Sequence, residues 1–349
     1  MIDRLQRDHM TKLTTAPRDI FQTFMNFPLV EDLDALKADV AIIGMPYGSP
    51  YTIDELVNDQ TNAPTAVRRA SQRISLGLDR YDFDIGGTLF DGQDVKVVDV
   101  GDVPGDAAGS HYRLAETAIR KIRVAGALPI TIGGDHGIPI PILRALDGEG
   151  PITLVQIDAH LDWRDNVNGV REGYSSPIRR ASEMAHIAGI FQLGIRGQGS
   201  ARLEEVEAAR AYGSNIVTAN EWQDIGTAAL LKRIPDRGRY YLTIDADGLD
   251  PAVMPAVEGP APGGISYRQT IELIKGLFAK GRVVGIDIVE IAPARDVNEI
   301  TSMTAGLFIL NAIGAAVRTG AESRRVGGQP GQLWLTGLFR AVFFRVCGR

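Results

Sequence analysis

An apolar run, Ile152 to Ile157, gives way to Asp158-Ala159-His160-Leu161-Asp162, so three ionisable side chains recur at every second position. An extended backbone alternates its side chains, which places Asp158, His160 and Asp162 on one face. Charges grouped at the end of a buried strand are costly unless a charge of opposite sign sits among them. A cation is the simplest such partner. A solvated acidic loop following a strand is the other reading that this stretch alone allows.

The surrounding pattern limits the fold. Apolar runs at 38–44, 95–100, 128–132, 152–157, 189–195, 239–244 and 283–289 read as buried strands. Between them, 64–75, 111–125, 138–145, a short stretch from Ile178, 201–211, 267–280 and 303–318 read as helices. Pro64 sits in the first turn of its helix, where a missing N–H costs nothing. Strands alternating with helices predict an α/β fold with a parallel sheet covered on both faces. The absence of a linker or composition break favours one α/β domain over 38–325, with an N-terminal extension at 1–37 and a C-terminal tail at 326–349. In such folds ligands bind outside the carboxyl ends of the strands. Four of the strands here end in acidic or histidine residues.

Composition removes several function classes. A net charge of −6 leaves no electrostatic footprint for nucleic acid or an anionic membrane. The single cysteine, Cys347, excludes an internal disulfide framework and a cysteine-based zinc site. The opening MIDRLQRDHM lacks the apolar centre of a signal peptide, and no apolar run reads as transmembrane in length, so a cytoplasmic protein is expected.

The strand-end groups are His136; Asp158, His160 and Asp162; Asp245 and Asp247; and Glu290. The first six carry about −4 with neutral histidines, a charge that two divalent ions would balance. Without such ions, neighbouring carboxylates would raise each other's pKa. An aspartate-rich site with a minority of histidines suits Mn²⁺ best, with Ni²⁺, Fe²⁺ or Co²⁺ as alternatives.

GGDHG at 133–137, DAHLD at 158–162, DADGLDP at 245–251 and VEIAP at 289–293 resemble the signature blocks of the ureohydrolase superfamily of arginases, agmatinases and related guanidino hydrolases. TNAPTAVRRA, LGIRG and PAPGG support the resemblance, which runs from about Val40 to about Val317. It implies a three-layer αβα sandwich, usually assembled as trimers or hexamers, with manganese as the usual metal and nickel in some members. It further implies that His136, Asp158, Asp162 and Asp245 hold one ion while Asp158, His160, Asp245 and Asp247 hold the other. Asp158 and Asp245 would bridge. Glu290 would face the substrate guanidinium and Asp162 would shuttle a proton to the leaving amine. The implied reaction is attack of a metal-bridging hydroxide on the guanidino carbon, giving urea or a substituted urea and an amine or ammonia.

One loop departs from the agmatinase-like branch. Where that branch carries a histidine in an HGTPxRRA-type run, this chain has Tyr174-Ser175-Ser176-Pro177-Ile178-Arg179-Arg180-Ala181. Tyrosine is a poor proton carrier at neutral pH but donates hydrogen bonds. The expected substrate is therefore agmatine-like or, where Tyr174 reshapes the pocket, a small or alkylated guanidine or a biguanide such as metformin; Tyr174 is otherwise neutral because Asp162 suffices, or marks a catalytically weak partner subunit of a mixed oligomer. Members acting on small guanidines and biguanides, often nickel-dependent, also depart in this loop. Leu161 and Trp163 predict a more apolar mouth, with Trp163 packing on a methylated substrate or simply filling space. His111 and His186 read as surface or capping groups. An arginase-fold deacetylase is a further rival, opposed by the paired aspartates at 245 and 247.

Overall fold

The structure, a computed structural model, describes residues 22–48, 59–104 and 108–320. His9, Cys347, the tail Leu333–Arg349 and the first part of the N-terminal extension lie outside them.

Eight strands form one sheet among the described residues: β1 (Val40–Met45), β2 (Val97–Asp102), β3 (Leu128–Gly133), β4 (Ile152–Ile157), β5 (Ile187–Ile195), β6 (Asn215–Thr218), β7 (Arg239–Asp245) and β8 (Arg282–Val289). Their order is β2-β1-β3-β8-β7-β4-β5-β6, and every pairing is parallel. The helices are α1 (Ala63–Ser71), α2 (Ala108–Val124), α3 (Pro139–Ala145), α4 (Pro177–Ser182), α5 (Leu203–Tyr212), α6 (Ala219–Ile225), α7 (Thr227–Arg233), α8 (Tyr267–Lys280) and α9 (Ile300–Arg318).

Strand residues alternate between two core layers. Val40 and Ile42 of β1 join one with Val155, Ile157, Leu242 and Ile244, under α8 and α9. Ala41 and Ile43 join the other with Ile152 and Leu154, where Ile119 of α2, Ile142 of α3 and Ile178 of α4 pack. A strand buried on both faces must be apolar at consecutive positions, which is why the runs lack polar alternation. The result is the expected αβα sandwich.

Three elements have no counterpart in the sequence reading: β6, α6 and α7. In β6 only Val217 is buried, so this short edge strand shows no apolar run. Thr218 ends it and caps α6 by accepting the Glu221 amide. Part of the polar segment before β1 is buried. Phe24, Met25 and Phe27 are buried, and the Phe24 amide donates to Asp99 Oδ2 at 2.7 Å. The stretch Val297–Arg318 proves long and apolar enough to cross a membrane by composition, contrary to the expectation. In the fold it is a core helix, with α9 packed against α1 and α8.

Candidate metal centre

The four strands that bear the expected site residues, β3, β8, β7 and β4, are adjacent in the middle of the sheet, and being parallel they bring their carboxyl ends to one edge of it, the edge where such folds bind ligands. Two glycines let the loops close up. A Cβ on Gly134 would stand 1.9 Å from the Tyr47 carbonyl, and one on Gly248 would stand 2.6 Å from the Asp158 amide nitrogen.

His136 Nδ1 is the focus of the first cluster. It lies 3.0 Å from Asp158 Oδ2, 2.9 Å from Asp162 Oδ2 and 3.1 Å from Asp245 Oδ2. In the second, His160 Nδ1 lies 3.0 Å from Asp247 Oδ2 and 3.5 Å from Asp158 Oδ1. Asp158 thus offers one oxygen to each cluster. Asp245 faces the first through Oδ2, while its Oδ1 accepts the Asp247 amide at 2.8 Å.

The donor set fits divalent ions. His136 Nδ1 and Asp162 Oδ2 are buried with no hydrogen-bond partner, in a protein where buried polar atoms normally have one. The His136 tautomer is fixed from behind. Its Nε2 sits 3.0 Å from Thr243 Oγ1, and Thr243 donates to Asp287 Oδ1 at 2.6 Å. Because the threonine proton goes to the carboxylate, its oxygen must accept from Nε2–H, which leaves the Nδ1 lone pair aimed into the cluster. Tyr241 donates to the other oxygen of Asp287.

Without ions the charges are balanced by protons. Burial and the Asp158 charge push Asp162 up to about 7. Burial, then Asp247 and Asp158, hold Asp245 well above the carboxylate range. Hydrogen bonds to Asp158 and Asp247 carry His160 up to about 12. Burial alone would raise Asp158, but contacts with both histidines bring it below its ordinary value. Cations entering here would displace those protons.

Glu290 stands at the end of β8 with φ +63°, and Asp162 has φ +49°. Both are non-glycine residues in the left-handed region, a strain that persists where surroundings enforce it. The Glu290 amide donates to Gly134 O, while its Oε1 accepts the His136 amide at 2.7 Å and its Oε2 accepts Gln60 Nε2 at 2.8 Å. Burial, then the nearby Asp135 charge, push its carboxyl up to about 8. Arg196 buckles the 245–251 loop, its Nη2 donating to the carbonyls of Asp247 at 2.6 Å and Leu249 at 3.1 Å.

The Tyr174 loop borders the 133–137 loop. Tyr112 OH reaches both the Gly137 carbonyl at 3.0 Å and the Glu172 carbonyl at 2.7 Å. Two expectations need correction. Trp163 is 3% exposed and packs on Tyr212 with centroids 5.7 Å apart, and Leu161 is equally buried. Both point into the core, so they do not line an apolar mouth or meet substrate. His111 is buried, not superficial: it stacks on Tyr47 at 4.6 Å, and burial lowers its pKa to about 4. His186 Nε2 approaches the Leu143 carbonyl at 2.9 Å, a structural contact.

Gln60, Thr243 and Asp287 went unnoticed in the sequence. Thr243 and Asp287 do leave a signal there, as polar residues inside the apolar runs of β7 and β8. Gln60 leaves none, because it lies outside any recognisable pattern.

The arginase family profile matches residues 38–314. Guanidinopropionase of Pseudomonas aeruginosa is 30% identical over 336 residues, covering 91% of this chain and 100% of its own. Guanidinobutyrase of the same organism is 32% identical over 293 residues, covering 80% and 88%. Among solved structures, proclavaminate amidino hydrolase from Streptomyces clavuligerus superposes with a TM-score of 0.75 at 28% identity, over 87% of this chain and 100% of that one.

Proposed function

This chain belongs to the arginase family and is a guanidino-group amidinohydrolase, and from that premise we propose that it cleaves a guanidino C–N bond with the help of two divalent ions. The observation that carries this is the sharing of Asp158 between two histidine–aspartate clusters beside Glu290. His136, Asp158, Asp162 and Asp245 would hold one ion, and Asp158, His160, Asp245 and Asp247 the other. Mn²⁺ suits these hard oxygen ligands with a minority of imidazole, and Ni²⁺ is the alternative. When bound, such a pair supplies a water acidified enough to be a nucleophile near neutral pH.

The chain's own groups do the rest. Ionised, Glu290 orients the planar guanidinium through charge-assisted hydrogen bonds, with the His136 and Gln60 N–H groups holding its carboxylate still. Asp162 carries a proton from the attacking water to the departing nitrogen, and without that transfer the leaving amine cannot depart. Products are urea or a substituted urea, with an amine or ammonia.

Tyr174 lies in the loop that Tyr112 ties to the Gly137 carbonyl, where the distal part of a substrate would be sorted. A phenol in place of an imidazole there suits a small or alkylated guanidine or a biguanide better than a long substrate ending in an amine. The test is urea release by Mn²⁺- or Ni²⁺-loaded protein from agmatine, arginine, 4-guanidinobutyrate, 3-guanidinopropionate, guanidine, methylguanidines and biguanides. Turnover of the small or alkylated members is expected. Turnover of agmatine alone would overturn the substrate reading, and full metal loading with no urea from any of them would overturn the mechanism.

A further inference from the structure

Behind Asp158, His160 and Leu161 of the DAHLD loop lies a pair of side-chain amides that neither the reaction nor the ligand set requires. Gln156 of β4 and Gln192 of β5 are cross-strand partners in the sheet, and both are fully buried. Gln192 Nε2 donates to the Leu161 carbonyl at 2.6 Å and to Gln156 Oε1 at 2.8 Å, while Ser214 Oγ donates to Gln192 Oε1 at 2.8 Å. Gln156 Nε2 donates to Asp158 Oδ2 at 2.6 Å and, more weakly, to the His160 carbonyl at 3.4 Å.

The direction of this chain is forced. A backbone carbonyl only accepts, so the Leu161 carbonyl fixes Gln192 with its NH₂ inward and its oxygen towards Ser214. Gln192 then donates to Gln156, which must offer its oxygen there and turn its own NH₂ to Asp158. Flipping either amide would set like groups against each other at several buried contacts, each left unsatisfied at a cost of about 1–3 kcal/mol. The two amides thus grip the loop at three points: the Asp158 carboxylate, the His160 carbonyl and the Leu161 carbonyl.

We propose that the Gln192–Gln156 amide relay holds Asp158 in the rotamer that serves both clusters, so that Gln156 is a positioning residue for the ion pair. This rests on the reading that the clusters bind divalent ions. An amide suits the task because it donates to Oδ2 without taking or giving a proton, leaving the carboxylate its charge. Groups that orient metal ligands in this way are worth about 10- to 100-fold in metal affinity.

The test is calorimetric titration of chelator-stripped protein with Mn²⁺, alongside the melting temperature of the metal-free protein. Gln156→Met keeps the length and removes the donor; Mn²⁺ affinity should fall about 10- to 100-fold, with urea production recovering at high Mn²⁺. Gln156→Glu keeps an acceptor for Gln192 but turns an anion on Asp158, and should weaken binding at least as much. Gln192→Met leaves the Asp158 bond and removes its prop, so its loss should be smaller. Should Gln156→Met fail to fold, the isosteric Gln156→Glu carries the test. Wild-type Mn²⁺ affinity in a folded Gln156→Met or Gln156→Glu protein would overturn the relay. A wild-type protein that takes up no divalent ion would instead overturn the metal reading beneath it.

Discussion

The two halves of the ion cradle share Asp158 but differ in almost everything else. The half around His136 is buried and backed by Thr243, Asp287 and Tyr241, so its histidine cannot turn. The half around His160 is open: that side chain is 39% exposed against 1% for His136. A ring braced from behind loses little freedom on binding an ion, whereas a half-exposed ring must be ordered by the ion itself. On the two-ion reading the buried half would be the anchor, and the open half would lose more freedom on binding its ion.

The contrast is sharpest where it should vanish. Asp158→Asn removes one of the two charges assigned to both halves, the one that offers an oxygen to each histidine, and is expected to abolish urea release and cut bound metal from two ions to one or none; elemental analysis with a urea assay checks this. Loss of only one ion with near-normal turnover would show that the halves do not depend on a common carboxylate. The next effect should be unequal. His136→Ala is expected to weaken Mn²⁺ binding more than His160→Ala, and each by more than the roughly 10- to 100-fold typical of losing a group that only positions a ligand, read from chelator competition. Equal losses would erase the distinction between anchor and open half.

The smallest effect concerns the wall behind the anchor, where His111 stacks on Tyr47 and the Tyr47 carbonyl accepts the Asp135 amide. Folded His111 takes its proton only near pH 4, while the unfolded chain takes it near 6.5. Below pH 6.5 the unfolded state binds more protons, so this contribution is complete above 6.5 and is lost as pH falls towards 4. His111→Phe keeps a ring on Tyr47 and should flatten that decline by about 3 kcal/mol. Melting temperatures of metal-free protein across pH 4–7 measure it, and parallel curves for both proteins would place the acid sensitivity elsewhere.

Much of this was legible in the chain alone, for physical reasons. Strands buried on both faces cannot hide their apolar runs, and Asp158, His160 and Asp162 stand out because such a run ends in them. The same logic fails at β6, where one buried residue, Val217, leaves no run to see. Side-chain direction is harder still. Trp163 follows Asp162 directly, yet it turns into the core, a choice made by the left-handed backbone at Asp162 and by the space beside Tyr212. His111 looked superficial because a polar residue in a helix usually is, and only the partner ring of Tyr47 reveals otherwise. Gln156 was visible as a polar residue in an apolar run. Its meaning depends on Gln192, which the register of β4 against β5 brings alongside it.

The strand order carries a consequence for biosynthesis. β3 and β4 follow each other in the chain, but β8 and β7 lie between them in the sheet. A nascent chain that has emerged only as far as Asp162 already carries four of the candidate ligands, but it lacks the two strands that set the native separation of β3 and β4. The candidate cradle is complete only after the last two strands have inserted, so any ion capture would mark a finished molecule. On the two-ion reading, bound ions would fasten those late strands in place, and a chelator should speed unfolding more than it slows refolding.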